Sequence, residues 1–251
     1  MNKILEVNNL SKDYNDATGF NVHLLEDISL EVTENSITTI LAPAGAGKTS
    51  LLKILSGIES LTSGQIKINS ANQRVVYIPS KPSSFPWYSV KQNISLVNRD
   101  DEKIKSIVEF VGLEGYEDHF PDNNSVGFRF RISLARALAV EPGIIILDEP
   151  FSKEIKPVTL QRLYELLLAL KSKLGITFLL GTSNLSEAIL LSDEIYIMQK
   201  EPGKIIDSVQ ISFDNERNVE LMRSEKFIDY RNKIEELLKN QKEQSLSNIT
   251  I

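Results

Sequence analysis

Ala42-Pro43-Ala44-Gly45-Ala46-Gly47-Lys48-Thr49 follows the apolar run 37–41 and opens a stretch, 48–56, in which Leu51, Leu52, Ile54 and Leu55 recur at helical spacing. A strand, a glycine-rich loop, a Lys-Thr pair and a helix in that order make a phosphate-binding P-loop. Gly45 and Gly47 let successive backbone N–H groups converge on phosphate oxygens, and the helix N-terminus adds its dipole. Lys48 reaches the β- and γ-phosphates, and the Thr49 hydroxyl can ligate Mg²⁺. The candidate nucleotide contacts run from Ala42, Pro43, Ala44, Gly45, Ala46 and Gly47 through Lys48 and Thr49 to Ser50. Ala42 stands where the pattern has Gly. Because Pro43 follows, residue 42 is pushed toward extended backbone, which Ala adopts without strain. The alternative is a glycine-rich strand-to-helix turn with no ligand, and the agreement of strand, loop, Lys-Thr and helix speaks against it.

A second stretch, Ile144-Ile145-Ile146-Leu147-Asp148-Glu149-Pro150, is an apolar strand that ends in two carboxylates. Strands of a parallel sheet deliver their C-terminal residues to the ligand crevice. There Asp148 is expected to hold Mg²⁺ beside Thr49, and Glu149 to orient or deprotonate an attacking water. An isolated Asp-Glu after a buried strand is commonly an acidic loop; the P-loop upstream favours the catalytic reading.

Working outward, short β-like runs at 37–41, 75–78, 144–147, 177–180 and 195–198 alternate with helical stretches at 48–56 and 160–174. That is the rhythm of a parallel sheet covered by helices. Leu160, Leu163, Leu166, Leu167, Leu170 and Leu174 mark the core face of the second stretch. Residues 4–7 and 28–32 read as strands of an antiparallel element, joined through a polar loop containing Asn15, Asp16 and Gly19. Strand signals disappear between Trp87 and Ala139, which predicts a helical insertion over about 88–140. Residues 215–244 are dense in Glu, Lys, Arg and Asn, with Val219, Met222, Phe227, Tyr230, Ile234 and Leu237 spaced so that a helical tail docks one face. Residues 245–251 are expected to fray. The fold class is α/β, a P-loop NTPase core with a mostly parallel sheet, an N-terminal antiparallel β subdomain, a helical insertion and a C-terminal helical tail.

Composition removes other classes. The 251 residues are 41% hydrophobic and 25% charged, which excludes collagen-like and disordered chains. There is no Cys and only two His, His23 and His119, far apart in sequence, so a zinc or iron site is not expected. With 28 Lys plus Arg against 34 Asp plus Glu, the net charge is −6, which offers no global attraction to nucleic acid or anionic lipid. No apolar run approaches the roughly 18 residues needed to cross a bilayer. A cytoplasmic chain is expected, with membrane contact only through a partner.

The two motifs, in this order and separation, resemble the ATP-binding subunits of ABC transporters, and the resemblance covers nearly the whole chain. Val7-Asn8-Asn9-Leu10-Ser11-Lys12-Asp13-Tyr14 is similar to the opening strand of that family, whose aromatic stacks on adenine. Tyr14 takes that place, unless it simply closes an edge strand. Ile132-Ser133-Leu134-Ala135-Arg136-Ala137-Leu138 resembles the helix after the family signature. Phe85-Pro86-Trp87 followed by Val90, and the tail from Ser224 through Leu238, resemble the importer branch for nitrate, sulfonates and taurine. The resemblance implies an ABC-type ATP-binding domain over 1–210, a helical tail over 211–251, and ATP with Mg²⁺ as cofactors. As partners it implies transmembrane permease subunits and a second ATP-binding subunit, identical or a paralogue. It places the chain at the inner face of the cell membrane, through the permease, with no nucleic-acid role.

The chain departs from the family at four elements. The signature Leu-Ser-Gly-Gly-Gln falls on Asn124-Ser125-Val126-Gly127-Phe128, where only Ser125 and Gly127 survive as candidate nucleotide contacts. The β-branched Val126 is expected to obstruct close backbone approach. Equally, Asn124 or Ser125 simply caps the following helix. Ser80 replaces the Q-loop glutamine, Ser183 the switch histidine, and Ser152-Lys153-Glu154-Ile155 lacks the D-loop aspartate. Removing one transition-state donor costs on the order of 100- to 1,000-fold in rate, and such losses do not simply multiply. Ground-state binding rests on the retained P-loop, Lys48, Thr49 and Asp148. The expectation is therefore an importer ATP-binding subunit with slow or partner-dependent hydrolysis, catalysed through Glu149. Its alternative is a catalytically impaired, nucleotide-gated module.

Overall fold

Numbered along the chain, the strands are β1 (Lys3–Asn15), β2 (Asn21–Thr33), β3 (Ile37–Leu41), β4 (Ser63–Ile68), β5 (Val75–Ile78), β6 (Ile144–Asp148), β7 (Thr177–Thr182), β8 (Glu194–Gln199) and β9 (Lys204–Gln210). The helices are α1 (Lys48–Leu55), α2 (Val90–Ser95), α3 (Asp101–Phe110), α4 (Val126–Ala139), α5 (Pro157–Leu174), α6 (Leu185–Leu191) and α7 (Glu225–Ser247), with a 3₁₀ turn at Val219–Arg223. This computed structural model describes residues 2–15, 21–69, 74–81, 84–121, 125–151, 153–214 and 216–247.

Every residue of β3, β6 and β7 is buried, as continuous apolar strands require when both sheet faces are covered. They lie at the centre of a six-stranded sheet of order β5-β6-β7-β3-β8-β9. Neighbours from β5 to β8 are parallel and β9 closes the edge antiparallel to β8. Side chains alternate between two cores. Ile145 and Leu147 of β6 face a cluster built with helices α2 to α7, whereas Ile144 and Ile146 face one built with α1 and the second sheet. That second sheet, of order β2-β1-β4, is antiparallel.

The expected parallel core and antiparallel subdomain are both present, each extended by an edge strand that the sequence reading passed over. β4 carries only Ile66 and Ile68 as half-buried apolar residues, and β9 is half polar, so neither shows a sustained alternation. β1 and β2 run to Asn15 and from Asn21. Asn15 therefore belongs to a strand rather than to the expected loop, and Asp16 and Gly19 lie outside the described residues. The leucine face of α5 holds from Leu160 through Leu163, Leu166, Leu167 and Leu170. It ends there: Leu174 is exposed, because Gly175 turns the chain in a left-handed C-cap.

Helices α2, α3 and α4 occupy the span between β5 and β6. The tail docks as its spacing predicts. Phe227 and Ile234 of α7 are buried in the helical-side core, and Val219, Met222, Tyr230 and Leu237 pack partly against it. α7 continues through Ser247, so residues 245–247 are helical rather than frayed, and 248–251 lie outside the described residues. Because Ile234 has no solvent exposure, Ile234→Ala is expected to cost about 2–5 kcal/mol. Denaturant unfolding measures it; a cost below about 0.5 kcal/mol, ordinary for an exposed site, would mean the tail is not part of the core.

Candidate functional site

β3 ends at Leu41 and α1 begins at Lys48, and the intervening backbone is shaped by two glycines with φ of +84°. At Gly47 a Cβ would also come within 2.8 Å of Leu25 Cδ2, so β2 packs too closely for any side chain. At Gly45 a Cβ would meet nothing within 4 Å, so the need there is conformational, beside space a ligand can enter. Ala42 is not among the residues with positive φ, which agrees with a change from Gly that carries no strain. Its N–H donates to the Thr182 carbonyl at 3.1 Å, fastening the start of the loop to the end of β7. No side chain caps α1 and no acidic residue stands in its first turn, so the helix-start donors are left to a ligand.

Asp148 ends β6 directly beside α1. The Thr49 hydroxyl and the Tyr77 hydroxyl each donate to Asp148 Oδ2 at 2.9 Å. The second carboxylate oxygen, Oδ1, is buried without a hydrogen-bond partner. A buried carboxylate oxygen left unpaired is costly, and a hard cation shared with Thr49 removes the cost. The donor set fits Mg²⁺, which takes one or two carboxylates together with phosphate oxygens. Burial and the Asp148 carboxylate push the Tyr77 hydroxyl far above its ordinary range, so it remains a donor. Tyr77 was not singled out from sequence, since a Tyr in a strand is ordinary there.

Glu149 follows in a left-handed conformation, φ +44°, which is uncommon for a residue with a side chain. Its N–H donates to the Gly181 carbonyl at 2.8 Å, and its Oε1 lies 2.6 Å from Lys48 Nζ. The lysine expected from sequence to reach phosphate is thus paired with the carboxylate expected to orient water.

Glu149 also borders a cleft of about 540 Å³ with Ser80, Val126 and Ser183, to which Lys81, Arg129 and Lys153 bring positive charge. Glu187 of α6 lines the same cleft and is only 4% exposed. Thr182 Oγ1 donates to its Oε2 at 2.8 Å, and Tyr164 Oη and Asn184 Nδ2 donate to its Oε1, each at 3.1 Å. Burial raises its pKa, those hydrogen bonds lower it, and the charge of Glu149 raises it again, for a net upward shift. Its only sequence signal was Asn184-x-x-Glu187, the spacing of a capping box.

A family model described as "ABC transporter" matches residues 25–152, about half of the chain. The chain belongs to the ABC transporter family. An ABC transporter ATP-binding protein of Methanocaldococcus jannaschii is 33% identical, with 96% of this chain and 94% of that protein covered. The aliphatic sulfonates import ATP-binding protein SsuB of Bacillus cereus is 32% identical, with 92% and 94% covered. Among solved structures, CbiO1 of Clostridium perfringens, part of the transporter complex CbiONQ, superposes with a TM-score of 0.73 at 25% identity over 84% of this chain and 89% of that one. A dimeric bacterial ABC cassette superposes with a TM-score of 0.72 at 20% identity, covering 83% and 99%.

Against that ABC frame, the structure separates the sequence candidates. Lys48, Thr49, Asp148 and Glu149 converge. Tyr14 stands beside α1, its hydroxyl 3.5 Å from Ser50 Oγ and hydrogen-bonded to Glu59, with Lys12 Nζ 4.8 Å from its ring centroid. Ser125 and Gly127 serve α4 itself. Ser125 Oγ caps it by accepting the Phe128 N–H at 3.3 Å, and at Gly127 a Cβ would lie 2.8 Å from Thr159 Cγ2 of α5. Asn124 and Ser152, the other candidate cap and the D-loop position, lie outside the described residues.

Three outcomes are expected. Glu149→Gln frees the nearly buried Lys48 from its partly exposed partner and tightens ADP binding several-fold, on the order of 1 kcal/mol, read by fluorescent-nucleotide titration without Mg²⁺. Asp148→Asn removes the gain in affinity that Mg²⁺ gives, measured in the same titration with and without EDTA. Gly127→Ala destabilises by about 1–3 kcal/mol, and Thr159→Ser, which deletes the clashing methyl, recovers most of it in the double variant.

Proposed function

We propose that the chain is the ATP-binding subunit of an ABC importer, binding Mg-ATP and coupling closure of a subunit dimer to a transmembrane permease. The observation that carries this reading is the convergence of Lys48, Thr49, Asp148 and Glu149 at the end of one parallel sheet. The resemblance to a sulfonate import subunit favours import. In this reading Lys48 and the loop N–H groups of residues 44–49 hold the phosphates, Tyr14 stacks on the base, and Asp148 with Thr49 holds Mg²⁺. The metal, when bound, neutralises charge that develops between the β- and γ-phosphates. Glu149, released from Lys48 by the arriving phosphate, turns to orient water. Ser125 and Gly127 contribute to the nucleotide of the opposite subunit only through the N-terminus of α4.

Residues 1–210 act as the ATP-binding unit and 211–251 as its tail. The permease meets the aromatic turn Phe85-Pro86-Trp87-Tyr88, which offers a 65% exposed Trp87. That turn is held rigid by Asn93, which donates to the carbonyls of Phe85, Tyr88 and Ser89 at 2.9–3.1 Å. No helix among the described residues is long and apolar enough to cross a membrane, so attachment to the inner face runs through that contact. The second ATP-binding subunit is either a copy or a paralogue.

Hydrolysis is slow or partner-dependent, because Ser80, Val126 and Ser183 border the cleft beside Glu149 where the family has glutamine, glycine and histidine. The same feature favours the second reading, a nucleotide-gated module without turnover. Mg-ATP binding and hydrolysis by the purified chain decide between them. Lys48→Ala is expected to abolish binding, and Glu149→Gln to remove turnover while keeping binding. Ser183→His is expected to raise turnover about tenfold or more, part of what one such donor supplies. Binding with no turnover in any of these forms points to the nucleotide-gated module or to an obligate catalytic partner, and excludes hydrolysis by the chain alone.

A further inference from the structure

Glu187 is a buried carboxylate for which the proposed mechanism has no use, and its neighbours come from three elements. Tyr164 belongs to α5, Thr182 ends β7, and Asn184 precedes α6. A capping box would have the Glu187 carboxylate accept the Asn184 N–H. Here that N–H donates instead to Thr182 Oγ1 at 3.0 Å, and α6 is capped by Asn184 Oδ1, which accepts from Ser186 N and Glu187 N at 3.0 and 3.3 Å. The helix is therefore capped without the Glu187 carboxylate, which is spent on Thr182, Tyr164 and the Asn184 amide.

What Thr182 holds makes this placement matter. The Thr182 carbonyl accepts the Ala42 N–H that starts the P-loop, and the preceding carbonyl, Gly181, accepts the N–H of Glu149 in its left-handed conformation. Two carbonyls at the end of β7 thus set both the loop entry and the direction of Glu149. The following residue, Ser183, is exposed toward the cleft that Glu149 borders. We propose that Glu187 is a positioning residue: by anchoring the Thr182 hydroxyl it fixes the β7–α6 junction and, through the Gly181 carbonyl, the backbone of Glu149. Side-chain hydroxyl and backbone of Thr182 move together, so a loose hydroxyl lets residues 181–184 shift and frees the strained Glu149 to relax.

The test uses the full chain and Glu187→Gln, which keeps size and burial but turns one acceptor oxygen into a donor. Amide hydrogen exchange of the nucleotide-free chain is read by mass spectrometry, alongside nucleotide affinity and turnover. The expected result is exchange about tenfold faster in peptides that report the Glu149 and 182–186 amides, with strand β6 before Asp148 unchanged. ADP affinity without Mg²⁺ stays within about twofold while kcat falls about 10- to 100-fold, the scale of a misplaced catalytic group. Tyr164→Phe, which removes one donor and keeps the carboxylate, is expected to give a smaller effect of the same kind, and it serves if Glu187→Gln does not fold. Unchanged exchange at Glu149 overturns the proposal, as does loss of affinity in proportion to kcat or uniformly faster exchange throughout. The kcat arm rests on the ATPase reading above; the exchange arm does not. A chain without turnover but with the local exchange change excludes hydrolysis by the chain alone and leaves the positioning role standing.

Discussion

Everything at this site depends on three strands having no face free for water. β3, β6 and β7 are buried on both sides along their whole length and mostly apolar, so they lie as neighbours in the middle of a covered sheet, all running the same way. Their C-terminal ends then fall together, and each ends where the sequence turns polar. β3 delivers the P-loop, β6 delivers Asp148 and Glu149, and β7 delivers Thr182 and Ser183. The chemistry is grouped because the hydrophobic effect groups the strands, with the polar residues carried at their ends.

What the strands bring together is a balance of opposed charges. Lys48 is nearly buried and holds Glu149, while Asp148 is engaged by two hydroxyls on one oxygen and by nothing on the other. The first pair is satisfied as it stands, whereas the Asp148 carboxylate keeps one buried oxygen without a hydrogen-bond partner. Glu187, a third acid near the same place, is satisfied by the neutral donors Thr182, Tyr164 and Asn184 rather than by a cation.

The central sheet and the P-loop were legible because their signals are redundant: continuous apolar strands, two glycines forced to positive φ, and a Lys-Thr pair at a helix start. The tail was legible too, since the spacing of Phe227, Ile234 and their neighbours names one face. β4 and β9 were not, because an edge strand needs only one or two buried residues to be held by its neighbour's backbone. Tyr77 and Glu187 were missed for a related reason. Tyr77 meets the Asp148 carboxylate of the neighbouring strand, and Glu187 meets the Tyr164 hydroxyl of another helix beside its local partners Thr182 and Asn184, contacts that no local pattern records. Ser125 and Gly127 read from sequence equally as remnants of a signature and as parts of a helix start; within the chain the first caps α4 and the second lets it approach Thr159. Residue type alone does not distinguish a donor aimed at a ligand from one aimed at its own backbone.

The position of β3 has a consequence for how the chain comes into being. Its hydrogen-bonding neighbours are β7 and β8, about 140 and 155 residues later in sequence. A ribosome releasing the chain from the N-terminus therefore presents β1, β2 and β3 long before the strands that cover the third of them exist. The antiparallel hairpin can form early, from neighbours. The sheet that holds the nucleotide cannot form until its last parallel strand has emerged, and the face beneath α7 closes later still. A chain so ordered spends much of its synthesis with β3 unpaired in the central sheet, and pairing across that separation must first overcome the entropy of closing a long loop.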